Sequence, residues 1–178
     1  MKKDILIPVL AIFLAAAVLF AASAGLSSIR EDNTRRELND MMRTILPGSS
    51  AFSQEPYSGT DENIRAAYKA ENGYVVHVVT SGYAGDISML VGVYRDGTVA
   101  GLVVRELRET GGLGGRALTD TEFLSQFLNT RGDAAVGDNV DALTGATVTS
   151  RAIARGVNSA AAFVSGVDAS SSATTWGG

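Results

Sequence analysis

The chain has 178 residues and a formal net charge of −4, with no cysteine and a single histidine. That length accommodates one domain with its own core plus a short appendage; the missing residue types exclude cysteine-held iron–sulfur clusters, c-type haem attachment, thiol nucleophiles and a multi-histidine metal site. From Pro47 onward nine Lys and Arg stand against fourteen Asp and Glu, about −5, which argues against nucleic acid as a partner. No side chain recommends itself as a catalyst, so redox or group-transfer chemistry would have to be carried by a bound cofactor.

In chain order, residues 1–4 precede a run from Ile5 to Ile29 that contains no charge. A helix over Ile5–Ala24 would be about 30 Å long, the thickness of a bilayer's hydrocarbon core. Residues 5–26 are therefore expected to form a single transmembrane helix, with Pro8 in its first turn, where a missing N–H costs little. The alternative is a cleaved signal with Ala22-Ser23-Ala24 as its small residues, but the run exceeds the roughly 7 to 15 apolar residues of a signal core. Lys2 and Lys3 favour a cytoplasmic N-terminus and a domain on the extracytoplasmic side of the cell membrane, although Arg30, Arg35 and Arg36 follow the span.

Leu38, Met41, Met42 and Ile45 keep helical spacing, extending a stalk helix to Leu46, where Pro47-Gly48 stops it. Ser49 to Asn63 reads as a linker, so residues 27–63 are stalk and linker together. The period then becomes that of strands. Ile64–Ala70 and Tyr74–Thr80 flank an Asn72-Gly73 turn, Ile87–Tyr94 and Val99–Arg105 flank an Asp96-Gly97 turn, and the two hairpins predict a four-stranded antiparallel sheet. His77 falls in the second strand and reads as a sheet residue. Thr119-Asp120-Thr121-Glu122 fits a capping box opening a helix through Phe123, Leu124, Phe127 and Leu128. A last helix runs from about Ser150 to Val164, and residues 166–178 form a loose tail. The expected fold is α+β, an antiparallel sheet with packed helices over residues 64–165, after the transmembrane helix.

Two small-residue loops hold the chemistry. Asp141 to Ser150 presents the hydroxyls of Thr144, Thr147 and Thr149 on a loop leading straight into a helix. Gly145 and Ala146 let the backbone approach a ligand, while the unpaired N–H groups and positive dipole end of the helix attract an anion. The loop is shaped to hold a phosphate; a threonine before a helix is equally an ordinary N-cap, and the residues alone leave both readings open. The second loop, Glu109 to Ala117, satisfies the loose G-x-G-x-x-A pattern from Gly112, with Asp133 downstream. Paired hairpins followed by two helices are not the alternating order of a doubly wound domain, so a dinucleotide site is rejected. Alone, the loop is a flexible turn. With the first loop it would enclose the phosphate and flat ring of one ligand, Leu113 supplying an apolar contact.

These residues resemble the flavin-binding domains of the G subunit of the Rnf electron-transport complex and of the related C subunit of the sodium-pumping NADH:quinone reductase. The family pattern D-x-x-(S/T)-G-A-T falls on Asp141, Thr144, Gly145, Ala146 and Thr147. A second pattern, H-x-E-T-P-G-L-G, is similar to Leu107–Gly114: Glu109, Thr110, Gly112, Leu113 and Gly114 agree, while Leu107 and Gly111 replace the histidine and the proline. A third, G-Y-x-G-x-I, matches Gly82, Tyr83, Gly85 and Ile87 and continues into the next hairpin. The short chain with one span points to the Rnf protein rather than its longer relative.

The resemblance implies that Thr147 is esterified to the phosphate of FMN by a separate flavin transferase. It implies that Asp141, Thr144, Gly145, Ala146, Thr149, Glu109, Thr110, Leu113, Gly114, Gly82 and Tyr83 surround the cofactor. The chain would then be an electron carrier, not catalytic alone, in an ion-translocating ferredoxin:NAD oxidoreductase at the membrane lipid. Its partners would be the other membrane subunits, including a second flavin-bearing one. The competing readings are a free-standing membrane flavoprotein for extracellular electron transfer, the sodium-pumping reductase subunit, and a non-redox scaffold in which the threonine loop only caps a helix.

Overall fold

The computed structural model describes residues 33–107, 115 and 119–166. The expected transmembrane segment, the Glu109–Gly114 loop and residues 167–178 of the expected tail lie outside them. Among the described residues no helix is long and apolar enough to cross a membrane. Of a first compact unit, Met1–Asp40, residues 33–40 are described and are helical. The second unit, Met41–Gly178, opens with residues 41–45, which complete helix α1 (residues 33–45). Gly48, at φ +87°, marks the stop expected from Pro47-Gly48.

Five strands form one antiparallel sheet in sequence order: β1 (Ser53–Glu55), β2 (Ile64–Lys69), β3 (Gly73–Ser81), β4 (Asp86–Tyr94) and β5 (Val99–Leu107). The two hairpins expected from Asn72-Gly73 and Asp96-Gly97 are present, but the four-strand expectation is corrected. Ser53–Glu55, within the segment read as linker, pairs with Ala67–Lys69 as an edge strand. Three polar and acidic residues show no alternation, and their pairing comes from the open edge of β2.

The sheet buries both faces, each in its own way. On one, Val76, Val78, Ile87, Met89, Val91 and Val93 pack in a core with Ile153, Val157, Ala160 and Ala161 of α3 (Thr147–Ser165). On the other, Gly92 and Gly101 face each other across β4 and β5 and leave a slot. The Ile45 backbone fills it: a Cβ at Gly92 would lie 2.8 Å from the Ile45 carbonyl carbon, and one at Gly101 would lie 3.0 Å from its Cα. Met42 and Leu46 are buried with it, and Asn72 pins the following turn through Nδ2–H donation to Pro47 O (2.6 Å) and a contact with the Ser49 hydroxyl.

Helix α2 (Thr121–Ser125) is shorter than the helix expected through Leu128, and its N-cap is Asp120 rather than Thr119, accepting from Phe123 N at 3.0 Å. The chain turns after Ser125 because Phe127 is drawn into the core, edge-on to Phe123 with centroids 5.3 Å apart. Helix α3 starts three residues before the expected Ser150. Thr147, Val148 and Thr149 are β-branched and weak helix formers, and the burial of Thr149 and Ser150 overrides that preference.

Candidate functional site

Helix α3 fixes one end of the sheet as the corner where the predicted residues gather. Phe163, near its C-terminus, packs edge-on to Tyr74 at the start of β3, and Gly156 lies against Thr80 and Met89. The Arg155 guanidinium donates to Ser81 O at 2.9 Å, where β3 ends. Eight residues N-terminal to Arg155, Thr147 stands about 12 Å farther along the helix axis. The Gly82–Asp86 turn begins beside Arg155, where β3 ends, and Leu107, opposite Ile87, ends β5 at that same end of the sheet. Asp141–Thr147, Gly82–Tyr83 and the point from which the Glu109–Gly114 loop departs thus share one end of the sheet. Glu109, Thr110, Leu113 and Gly114 themselves lie outside the described residues.

The Asp141–Ser150 stretch alternates exposed and buried residues. Asp141, Thr144, Gly145 and Thr147 are exposed, whereas Leu143, Ala146, Thr149 and Ser150 are buried. Gly145 adopts φ +76°, a conformation that disfavours side chains, so the glycine there is required by the turn. The N-cap of α3 is Ala146, which has no side chain to bond the helix end. The Thr147 hydroxyl makes no hydrogen bond among the described residues. The ordinary capping role open to these threonines is therefore not the one they play. Thr149, at 2% exposure, is turned inward and already engaged, so it does not present its hydroxyl to solvent.

Two residues that the sequence patterns do not single out hold this loop. Gln126 Oε1 accepts from Asp141 N at 2.7 Å, binding the loop's start to the turn after α2. Ser150 Oγ accepts from Leu143 N and donates to Ala146 O, both at 3.0 Å. Neither belongs to a motif, and both bonds join residues brought together only by the fold.

The donor set fits a phosphate monoester or diester. Thr147 and Val148 N–H groups precede the first intrahelical bond, Ser150 N to Ala146 O at 2.9 Å, and no acidic residue occupies the first turn. Arg151 is one turn along on the same face. Apolar surface is also on hand: Val148 is 47% exposed and Tyr83 76%. Gly82 N donates to Gly85 O at 2.8 Å, closing the tight turn that carries Tyr83 outward. A separate cavity of about 380 Å³, lined by Glu55, Tyr57, Asp61, Ser159 and Phe163, lies at the opposite, C-terminal end of α3 and includes none of these residues.

Residues 82–162 match the FMN-binding domain family, a span that takes in all three motif stretches. The chain is also similar to the G subunit of the proton-translocating ferredoxin:NAD(+) oxidoreductase complex of Clostridium ljungdahlii. The two are 36% identical over 134 residues, 68% of this chain and 69% of that protein. This chain belongs to the G-subunit family of ion-translocating oxidoreductase complexes. Other members include the G subunit of the Na(+)-translocating ferredoxin:NAD(+) oxidoreductase complex of Acetobacterium woodii, 28% identical over 88% of this chain and 93% of that protein. The corresponding protein of the ion-translocating oxidoreductase complex of Methanosarcina acetivorans is 31% identical over 83% and 90%.

Proposed function

We propose that this chain is an electron-carrying subunit of an ion-translocating ferredoxin:NAD oxidoreductase and holds FMN covalently through a phosphoester at Thr147 Oγ1. The observation that carries the reading is Thr147, exposed and with no hydrogen-bond partner for its hydroxyl among the described residues, as first residue of a helix whose N-cap Ala146 makes no side-chain hydrogen bond. That arrangement leaves both a bond-forming oxygen and unpaired N–H donors for the phosphate's charge. Bound FMN supplies redox chemistry that no side chain of this protein offers.

The protein's own residues position and tune. Gly145 and Ala146 let the backbone come close, Thr144 and Asp141 edge the loop, and the N-terminal dipole of α3 with Arg151 offsets negative charge. Gly82 and Tyr83 stand on the ring's side, where Tyr83 supplies an aromatic face, and Glu109, Thr110, Leu113 and Gly114, which lie outside the described residues, are the further ring contacts of the proposal. The chain is anchored by a helix over residues 5–26, with the FMN-binding domain outside the cytoplasm, residues 27–63 leading to it and residues 166–178 as its tail. A flavin transferase matures the subunit, which then works beside other membrane subunits, one of them a second flavin carrier. A covalent tie suits that location, because lost cofactor could not be replaced there.

Intact mass of the purified full-length chain is expected to show an FMN adduct that disappears in Thr147→Ala, together with the fluorescent band on a denaturing gel. An adduct of equal yield in Thr147→Ala refutes the attachment residue. Purification in mild detergent is expected to bring multispanning subunits along, whereas a lone flavoprotein would support the free-standing carrier instead.

A further inference from the structure

Ser150 is wholly buried in α3, where an alanine would favour the helix more. Its hydroxyl makes two bonds of different kinds. Donation to the carbonyl four residues back, Ala146 O, is common for a helical serine; acceptance from Leu143 N, an amide outside the helix, is not part of that habit. Together the two bonds grip both ends of the Leu143–Ala146 turn, whose middle holds Gly145 in the left-handed region. A short turn with a glycine at its centre has many conformations open to it, and only those that end with Thr147 exposed at the mouth of α3 present the hydroxyl usefully. From Ser150 a single side chain reaches both the turn's first amide and its last carbonyl.

We infer that Ser150 is the positioning residue for flavin attachment, holding the Leu143–Ala146 turn so that Thr147 Oγ1 is fixed for attack on phosphorus. The inference rests on the attachment reading above. In that step a bond forms between Thr147 Oγ1 and the FMN phosphorus of flavin adenine dinucleotide. The anhydride bond to the adenylate phosphate breaks, AMP leaves with the bonding pair, and the threonine proton passes to the transferase. Ser150 touches none of these atoms and acts through the turn.

The test is the time course of adduct formation on the full-length chain, followed by intact mass with saturating transferase and flavin adenine dinucleotide. Ser150→Ala is expected to slow attachment by about 10- to 100-fold, the scale of a misplacement near 1 Å, with the half-saturating transferase concentration unchanged. Amide exchange at Leu143 is expected to accelerate while the strands keep their protection. Ser150→Thr, which retains a hydroxyl, restores most of the rate. Ser159→Ala removes another buried serine hydroxyl from α3, one that accepts from Asn63 Nδ2 at 3.3 Å, and leaves the rate at its wild-type value. Attachment to Ser150→Ala at the wild-type rate, or equal slowing in Ser159→Ala, overturns the assignment. Should Ser150→Ala not fold, Ser150→Cys, with its weaker donor, is expected to fall between serine and no reaction, and a wild-type rate there overturns it equally. A wild-type chain that gains no mass, or a Thr147→Ala chain that does, defeats the attachment reading itself and is told apart by occurring without any change at Ser150.

Discussion

Replacing Gly92 by alanine strikes the face of the sheet remote from α3. The added Cβ would lie 2.8 Å from the Ile45 carbonyl carbon, with the carbonyl oxygen closer still. Carbon atoms rest at about 3.5–4.0 Å, so the Ile45 backbone must move by about 1 Å. It cannot shift alone, because Asn72 pins Pro47 and Ser49 just beyond it, and Met42, Ile45 and Leu46 are 2%, 5% and 0% exposed. Full release of those three side chains would cost about 5–9 kcal/mol at roughly 1.5–3 kcal/mol each, which bounds the effect from above. Local accommodation of one extra carbon costs about 1–3 kcal/mol, offset by about 0.5–1 kcal/mol because alanine orders more cheaply than glycine in a strand. The expected net loss is about 1–2 kcal/mol, a fall in melting temperature of about 3–8 °C. Thermal and urea unfolding followed by circular dichroism measure it, and Gly101→Ala, on the facing strand, should behave alike. A Gly92→Ala protein as stable as wild type would show that the segment does not lie in this slot.

Two further substitutions probe the strands. Thr80 is 1% exposed and its Oγ1 has no hydrogen-bond partner among the described residues, so Thr80→Val is expected to leave stability unchanged or raise it by about 1 kcal/mol in urea titrations; a loss of that size would reveal a bond that the hydroxyl makes. Burial, then the neighbouring Arg105 and Arg65, lower the pKa of His77 below its ordinary value. The unfolded chain therefore takes up the proton first, and stability is expected to fall as pH drops through about 6.5 and below, until the folded form also protonates. His77→Gln removes this component; midpoints that decline equally between pH 7 and pH 5 in both proteins would refute the assignment.

What the sequence made legible was local. Asn72-Gly73 and Asp96-Gly97 announced two hairpins because their turn residues sit between apolar alternations, and Gly97 takes a positive φ of 82° in the second turn. The stop at Gly48 was equally visible. Strand β1 was not, since Ser53, Gln54 and Glu55 become a strand only by lying beside β2. The start of α3 was hidden by three β-branched residues whose helicity is imposed by packing. At the candidate site the motif residues could be named from their order, but the groups that hold them could not. Gln126 is 15 positions from Asp141, and the Ser150 bond to Leu143 crosses from helix to loop. Such bonds leave no periodic trace, because each depends on where the chain folds back rather than on spacing along it.

The pin at Asn72 and the corner at Ser81 stand at opposite ends of β3. Eight strand steps separate Gly73 from Ser81, about 26 Å. The sheet is therefore a lever. A tilt of the whole sheet by only about 10° about its Asn72 end sweeps the corner through about 5 Å over that strand length. Electron exchange decays steeply with separation, so a modest tilt about the Asn72 end is enough to change which neighbour the far end can serve.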